Sequence, residues 1–158
     1  MDPIVFLDFD GVLNTTSHCD LMGRDSLSHK MIDSLNLIID SIGAKIVVSS
    51  DWRDGMSVAE LQSHLNKFGC RGKVIGKTMS ISDIIGCNND HPLARLWMDT
   101  RPNQIKAWIK DHYINNYVVI DDMNLSGYIP NFVHVDHKVG LTDFDANLAI
   151  SYLKRKLK

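Results

Sequence analysis

The stretch VFLDFDGVL, residues 5–13, places two aspartates one residue apart in an otherwise apolar run. Residues 4–9 are short, apolar and followed by Gly11, which predicts a buried β-strand that ends in a turn. Burying an ionised carboxylate is costly unless a partner compensates its charge. Asp8 and Asp10 are therefore expected either at an exposed strand end or beside a cation.

Strands and helices alternate along the rest of the chain. Short apolar runs predict further strands over 44–48, 73–75, 117–120 and 132–135, and apolar residues at helical spacing predict helices over 26–42, 57–68, 103–113 and from 142 to about 153. Residues 14–25 are polar and are expected to form a loop, and residues 76–100 show no clear pattern. This alternation predicts an α/β fold with a mainly parallel, doubly wound sheet.

The composition is that of one globular domain. The chain has 158 residues, 44% of them hydrophobic and 23% charged, with a net charge of −2. A sequence-independent DNA binder would have a strong basic excess, so that class is excluded. No apolar run approaches a membrane span and no signal peptide is present, so we expect an intracellular protein with no membrane partner. The three cysteines have no CxxC spacing, which argues against a disulfide framework or a zinc site.

Polar side chains follow three of the predicted strands. They are Asp8 and Asp10 after the first strand, Ser49 and Ser50 after the second, and Asp121 and Asp122 after a later one. In a doubly wound sheet, the ligand crevice lies outside the carboxyl ends of the strands. The three pairs are therefore expected to converge at one edge of the sheet.

Such a cluster suits phosphoryl transfer. Carboxylates that share a small volume raise each other's pKa unless a cation neutralises them, and Mg²⁺ fits a site of a few carboxylates, waters and a phosphate. A carboxylate can attack phosphorus, and the aspartate two residues on is placed to move a proton. A serine hydroxyl and a nearby cation can hold the phosphate oxygens.

Four segments resemble, in order, the motifs of the haloacid dehalogenase (HAD) superfamily of phosphohydrolases, and the resemblance covers nearly the whole chain. FLDFDGVL is similar to the DxDGxL motif, VVSSDW to an apolar strand that ends in Ser or Thr, RPNQI to a helix start with a basic residue, and YVVIDDMN to the acidic motif. Residues 133–142, VHVDHKVGLT, together with SSDWR and RPNQIKAWI, resemble the small phosphatase-like domains of RNA-repair "Swiss army knife" proteins and of stand-alone relatives.

The superfamily resemblance implies a role for each acidic residue. Asp8 would be the nucleophile that becomes phosphorylated, and Asp10 would be the general acid and then the base for the hydrolytic water. Asp8, the backbone carbonyl of Asp10 and Asp122 would hold Mg²⁺, with Asp121 in support. Because an acid at position 10 goes with phosphatases and phosphotransferases, dehalogenase activity is not expected.

The resemblance also implies a phosphate-binding group. Ser49 would bind the phosphate, with Ser50 as the less favoured choice, and Gly11 would allow a close approach of the backbone. The family usually has a lysine in the basic position, whereas this chain offers Arg101 directly before Pro102 or Lys106 one turn further on. Both choices stay open, because arginine and lysine present their charge differently.

The expected substrate is a nucleotide or the terminal phosphate of a nucleic acid, with another phosphorylated small molecule or protein as the alternative. Trp52 and Arg53 are candidate substrate contacts that could stack a base and hold a second phosphate. The competing interpretation is that Trp52 packs against the core and Arg53 pairs with an acid. His18, Arg24 and Arg95 are further candidate contacts.

The whole chain, 1–158, is expected to be a single domain with small lid elements at 14–42 and 54–100, and no stable protein partner is predicted. Two rival functions remain at this point. A phospho-accepting signalling receiver also uses clustered acids on a doubly wound sheet, and Asp51 would be its phosphorylated residue. A non-catalytic binding domain that keeps the HAD fold is the other rival.

Overall fold

Five parallel strands form one sheet in the computed structural model, which describes residues 2–79 and 100–155. The strands are β1 (Ile4–Leu7), β2 (Lys45–Val48), β3 (Val74–Lys77), β4 (Tyr117–Asp121) and β5 (Phe132–His134). Their order in the sheet is β3-β2-β1-β4-β5. This arrangement confirms the predicted α/β fold with a parallel sheet.

Helices connect the strands within the described ranges. They are α1 (Thr16–Met22), α2 (His29–Ile42), α3 (Val58–Lys67), α4 (Arg101–Asp111) and α5 (Asp143–Arg155), and a 3₁₀ turn (Asp51–Arg53) follows β2. Across residues 2–79 and 100–155, no helix has the length and apolar character needed to cross a membrane. The predicted lid segment 54–100 includes α3 and β3, and its residues 80–99, with Arg95, lie outside the described part of the chain.

The core is divided between the two faces of the sheet. Side chains alternate along a strand, so Val5 and Leu7 of β1 join the cluster beneath α2, α3 and α5, whereas Ile4 and Phe6 join the cluster beneath α4. The strands are covered on both faces, as parallel sheets usually are, and this explains their nearly continuous apolar sequences.

The predicted helix over 26–42 begins later, at His29, and ends as expected at Gly43. Gly43 has a φ of +65° and donates its N–H to the carbonyl of Ile39, which closes the last turn of α2. Ile32, Leu35 and Ile38 are fully buried against the sheet. This part of the predicted lid segment 14–42 is therefore a core element.

The expectation of a loop over 14–25 is wrong, because Thr16–Met22 form α1. The helix buries none of its residues, so the sequence lacks the apolar periodicity that reveals most helices. Local capping defines its ends instead. The hydroxyl of Thr15 accepts the N–H of His18, and Gly23 donates its N–H to the carbonyl of Cys19.

The strand order locates the ligand crevice. From the central strand β1 the chain moves outward to β2 and β3 on one side and to β4 and β5 on the other. The order therefore reverses between β1 and β4, and ligands bind outside the carboxyl ends of the strands at such a switch point. Signalling receivers have the flavodoxin-like order 2-1-3-4-5, so this topology argues against the receiver interpretation.

Candidate active site

Asp8 directly follows β1 at the switch point and is 3% exposed. Its Oδ1 accepts the N–H of Phe9 at 2.8 Å, and its Oδ2 accepts Nη1 of Arg101 at 2.8 Å. Burial raises the pKa of this carboxyl, and hydrogen bonding from the Ser50 hydroxyl is among the weaker effects that oppose the rise. Backbone pairing fixes the position, because Asp8 donates its own N–H to Ile120 of β4. The aspartate is therefore buried with a defined orientation.

Arg101 begins α4 and links two acidic strand ends. Its Nη1 contacts Oδ2 of Asp8 at 2.8 Å and Oδ2 of Asp121 at 2.9 Å, and its Nη2 contacts Oδ1 of Asp51 at 3.2 Å. Burial alone would lower the pKa of this guanidinium, but the three carboxylates raise it. Arg101 is thus a permanently charged cation held among anions.

Lys106, the other candidate for the basic position, lies elsewhere on α4. It is exposed, and its ammonium group lies 6.0 Å from the centre of the Tyr128 ring. Of the two candidates, Arg101 is the one that contacts Asp8.

A second carboxylate pair follows β4 and approaches Asp8. Oδ1 of Asp121 accepts the N–H of Met123 at 2.8 Å, and Asp121 is fully buried. One carboxylate oxygen each from Asp8, Asp121 and Asp122 lies within 4.8 Å of the others. Gly11, with a φ of +75°, makes this approach feasible, because a Cβ at that position would overlap the carboxylate of Asp122.

These residues fit a magnesium ion. All the donor atoms of the cluster are carboxylate oxygens, which are the ligands that a hard divalent cation takes. Burial, followed by the charge of Asp121, raises the pKa of Asp8 to about 7 even though Arg101 opposes the shift. Burial also raises the pKa of Asp121. One arginine therefore leaves the cluster short of positive charge, which a divalent cation would supply.

Asp10 is exposed on the turn after β1, yet both of its carboxylate oxygens have donors. Nε1 of Trp52 donates to Oδ2 at 2.9 Å, and Nδ2 of Asn14 donates to Oδ1 at 3.0 Å. Asn14 is itself fixed, because its Oδ1 accepts the N–H of Gly11. The N–H of Gly11, which could otherwise face a phosphate, is thus engaged within the turn.

Trp52 packs against the core, as one of the two interpretations from the sequence held, and a contact with a substrate base stays a prediction. Its ring centre lies 5.4 Å from that of Phe9, and its indole N–H contacts the carboxylate of Asp10. The ring therefore packs against the core while its polar edge reaches the candidate active site.

Ser49 and Ser50 are both fully buried, but their hydroxyls differ. The Ser50 hydroxyl accepts the N–H of Trp52 at 3.4 Å, and it opposes the rise that burial causes in the pKa of Asp8. The Ser49 hydroxyl makes no hydrogen bond within residues 2–79 and 100–155. The Ser50 hydroxyl is therefore engaged within its own turn and the Ser49 hydroxyl is not, and the choice of Ser49 over Ser50 for phosphate binding stays a prediction.

Arg53 lies inside the protein and contacts an acid, as the second of the two interpretations from the sequence held, whereas a contact with a second phosphate stays a prediction. Its side chain is 4% exposed. Nη1 donates to the carbonyl of Ser49 at 2.8 Å and contacts Asp51 at 3.3 Å, and Nη2 donates to Oε1 of Gln104 at 2.8 Å. These bonds hold the turn after β2 against α4, so Arg53 stabilises the backbone beside the candidate active site.

A cavity of about 370 Å³ opens beside the acidic cluster. Asp10, Gly11 and Asp122 line it, and Thr16, Arg24 and His137 are among the other lining residues. It lies at the lower end of the range of about 300–1,000 Å³ that is usual for small-molecule sites. Arg24, one of the candidate contacts, therefore borders this space.

Sequence reasoning missed Asn14 and Gln104. Both are polar residues that are at least 97% buried, and each bonds to a residue that the sequence had singled out, Asp10 and Arg53 respectively. Asn14 lies four residues after Asp10, so its position beside Asp10 could have been inferred from the tight turn at Gly11. Gln104 gave no comparable signal.

Comparison with known proteins gives one match. The family model described as the HAD domain in Swiss Army Knife RNA repair proteins matches residues 4–146. Searches of curated proteins and of solved structures found no match. HAD domains are typically hydrolases of the phosphatase type and generally use Mg²⁺, which agrees with the aspartate cluster. Since the match spans nearly the whole chain and all the strands, the chain belongs to this family of HAD domains.

Proposed function

We propose that the chain is a Mg²⁺-dependent phosphomonoester hydrolase that forms an aspartyl-phosphate on Asp8 and acts on the terminal phosphate of a nucleotide or a nucleic acid. The observation that carries the proposal is the position of Asp8. It lies at the switch point of the sheet, buried against Arg101 and clustered with Asp121 and Asp122. A cluster of carboxylates paired with one arginine is suited to bind a metal ion together with a negatively charged ligand such as a phosphate.

The first step transfers the phosphoryl group to the protein. A carboxylate oxygen of Asp8 attacks phosphorus while the bond between phosphorus and the leaving oxygen breaks. Asp10 gives a proton to that leaving oxygen, which departs as an alcohol. The exposed position of Asp10, on the same turn as Asp8, suits a group that must meet the substrate.

The second step regenerates the protein. Asp10, now a carboxylate, takes a proton from water, and the water oxygen attacks phosphorus. The bond between phosphorus and Asp8 breaks, which restores the carboxylate and releases inorganic phosphate. One aspartate can serve as acid and then as base because it loses a proton in the first step and regains one in the second.

The charged groups around Asp8 would support both steps. Arg101 is placed to stabilise negative charge on the transferring phosphoryl oxygens, and the Ser50 hydroxyl can donate a hydrogen bond to them. Asp8 and Asp122, with the carbonyl of Asp10, would hold Mg²⁺, and Asp121 would support them. The ion would supply charge neutralisation for the phosphate and for the buried carboxylates.

The cavity supports a leaving group of modest size. Asp10 lines it, so a leaving oxygen that takes a proton from Asp10 would carry the rest of the substrate into this space. Arg24 and His137 border it and offer positive or polar groups to a further phosphate. The family description adds an RNA-repair setting, which is consistent with the terminal phosphate of a nucleic acid as substrate. A phosphorylated small molecule or protein remains the alternative substrate.

Phosphate release with Mg²⁺ and with EDTA tests the proposal. The substrates are an aryl phosphate, 5′- and 3′-nucleotides, and oligonucleotides that end in a 5′- or 3′-phosphate. We expect Mg²⁺-dependent turnover in the unaltered protein and none in Asp8→Asn, because an amide is not a nucleophile towards phosphorus. Asp111→Asn is the matched control. Asp111 is exposed at the far end of α4, about 15 Å along the helix from Arg101.

The substrate that is turned over fastest identifies the class. Turnover of oligonucleotide ends or nucleotides supports the proposal, whereas hydrolysis of the aryl phosphate with no turnover of any nucleotide or oligonucleotide favours the alternative. A folded protein that binds Mg²⁺ but hydrolyses none of these substrates would contradict the proposal and support the non-catalytic interpretation.

A further inference from the structure

The carboxylate of Asp10 is held from two sides by donors on separate turns. Trp52, on the 3₁₀ turn after β2, donates its indole N–H to Oδ2 at 2.9 Å. Asn14, on the turn after β1, donates to Oδ1 at 3.0 Å. An exposed aspartate ordinarily exchanges among rotamers, and two donors from different directions select one of them.

Trp52 cannot easily move away from this position. Its ring packs between the rings of Phe9 and His64, with centre distances of 5.4 Å and 5.0 Å. Its backbone N–H bonds to the hydroxyl of Ser50. The turn that carries it is braced by Arg53, which bonds to the carbonyl of Ser49. The indole N–H is therefore presented to Asp10 by a rigid support.

The indole is chemically suited to this task. It donates one hydrogen bond and accepts none, so it cannot exchange protons with Asp10. Each carboxylate oxygen has two lone pairs, so Oδ2 keeps a free lone pair for the substrate while it accepts from Trp52. The contact thus fixes the direction of the carboxylate without occupying all of its capacity.

From this geometry we infer that Trp52 is a positioning residue that holds Asp10 in the orientation needed for proton transfer to the leaving group and from water. The inference rests on the proposed function, because it assigns a partner to the proposed acid and base. It differs from the interpretation of Trp52 as a platform for a substrate base. That role would act on substrate binding, whereas positioning acts on the chemical steps.

Trp52→Phe separates the two roles, because it keeps an aromatic ring and removes the N–H. Trp108→Phe is the matched control. Trp108 lies on α4 and packs against Phe6 and His112, away from Asp10. Both variants lose the same chemical group, so a difference between them reports on position rather than on the type of substitution.

The first measurement is kcat/KM for an alkyl phosphate and for an aryl phosphate, which reports the step in which the leaving group departs. An alkoxide leaving group needs the proton from Asp10, whereas an aryl oxide needs it much less. We expect Trp52→Phe to lower kcat/KM for the alkyl phosphate about 10-fold more than for the aryl phosphate, within the about 10²–10⁴-fold that general acid–base catalysis contributes. Trp108→Phe should change the two values equally.

The second measurement is the decay of the phosphorylated protein after a rapid chase with unlabelled substrate. Asp10 acts as the base in this step whatever the leaving group was. Trp52→Phe should slow the decay about 10-fold after either substrate. An equal loss for both substrates with an unchanged decay rate would overturn the inference and leave a purely structural role. A rise in KM alone, measured with a nucleotide as substrate, would overturn it in favour of base stacking.

A readout without turnover keeps the inference distinct from the proposed function. In protein labelled with ¹⁵N-tryptophan, Trp52→Phe identifies the indole N–H resonance of Trp52. Asp10→Ala should shift that resonance upfield and speed its exchange with solvent, whereas Asp111→Asn should not. An unchanged resonance would overturn the contact itself. If the protein hydrolyses no phosphate at all, the proposed function fails, and a positioning role for Trp52 in it fails as well.

Discussion

The turn after β2 and the start of α4 each place an arginine at the carboxyl edge of the sheet, but the two arginines bond to different kinds of acceptor. Apart from a contact with Asp51, Arg53 gives its hydrogen bonds to neutral oxygens, the carbonyls of Ser49 and Met79 and the side-chain amide of Gln104. Arg101 contacts the carboxylates of Asp8, Asp121 and Asp51. The acceptors around an arginine, more than its place in a sequence motif, therefore indicate whether it stabilises the fold or is placed to bind an anion.

The same substitution in both regions tests the difference, and the largest effect is expected at Arg101. Arg101→Gln should lower kcat about 10²–10³-fold at saturating Mg²⁺, because it removes a preformed positive charge from the transferring phosphoryl group. Steady-state kinetics with the best substrate measures this loss, and circular dichroism checks the fold. Activity within tenfold of the unaltered protein would remove Arg101 from its proposed role.

Arg53→Gln should affect stability instead. The substitution leaves the carbonyl of Ser49 and the amide oxygen of Gln104 buried without their donor, and each unpaired group costs about 1–3 kcal/mol. We expect the free energy of unfolding in urea to fall by about 3 kcal/mol. The loss of activity per folded molecule should be much smaller than in Arg101→Gln. If Arg53→Gln kept its full stability but lost turnover, this would contradict the proposed difference between the two arginines.

The pH dependence of the free energy of unfolding should also distinguish the region around Arg101 from the region around Arg53, because Asp8 lies beside Arg101. An unfolded aspartate ionises near pH 3.9, whereas the pKa of Asp8 in the folded protein is raised to about 7 by burial and by Asp121. Between these values the folded state binds more protons than the unfolded state. Without Mg²⁺, the stabilising contribution of Asp8 is thus complete below about pH 4 and is lost as the pH rises to about 7.

Magnesium should oppose this loss, because the ion binds the deprotonated carboxylates. Thermal unfolding from pH 5 to pH 8 measures the effect, at about 2–4 °C of Tm for each kcal/mol in a protein of this size. We expect the increase in Tm on addition of Mg²⁺ to be larger at pH 8 than at pH 5. Arg53→Gln should keep this pattern and Asp8→Asn should weaken it. An equal Mg²⁺ effect at both pH values would contradict the assignment to Asp8.

The smallest effect is expected at Lys106, on the same helix as Arg101. Its exposed ammonium lies over the ring of Tyr128 rather than among the carboxylates, and such surface charges contribute about 0–1 kcal/mol. Lys106→Gln should therefore change kcat for an aryl phosphate less than about twofold. A loss comparable to that of Arg101→Gln would show that both cations serve the site.

The strands and the acidic edge could be predicted because they follow local rules. Each strand is a short apolar run with a polar end, and parallel pairing brings those ends together, so Asp8 and Asp121 were expected near each other. Helix α1 was not predicted because it buries no residue, and its ends are marked only by the capping residues Thr15 and Gly23. Apolar residues at helical spacing indicate a buried face, and a helix without a buried face shows no such pattern.

The choice between Arg101 and Lys106 could not be made from the sequence. Both lie in the first two turns of one helix, and only the direction in which the helix approaches β1 and β4 decides which cation meets the acids. The burial of Arg53 could not be predicted either, since its acceptors come from the residues after β2, from the residues after β3 and from α4. Contacts assembled from several elements are a property of the tertiary structure.

Because β1 lies in the centre of the sheet, the amides at its end should exchange more slowly than those of the exposed helix α1. The amide of Asp8 bonds to Ile120 and the amide of Ser49 bonds to Leu7, both within the middle of the sheet. Their protons should exchange with deuterium only when the whole protein unfolds. Helix α1 buries nothing, so its amides should exchange through local opening, many times faster. We therefore expect the acidic edge of the sheet to stay fixed on a timescale on which α1, which contributes Thr16 and Cys19 to the cavity lining, opens and closes.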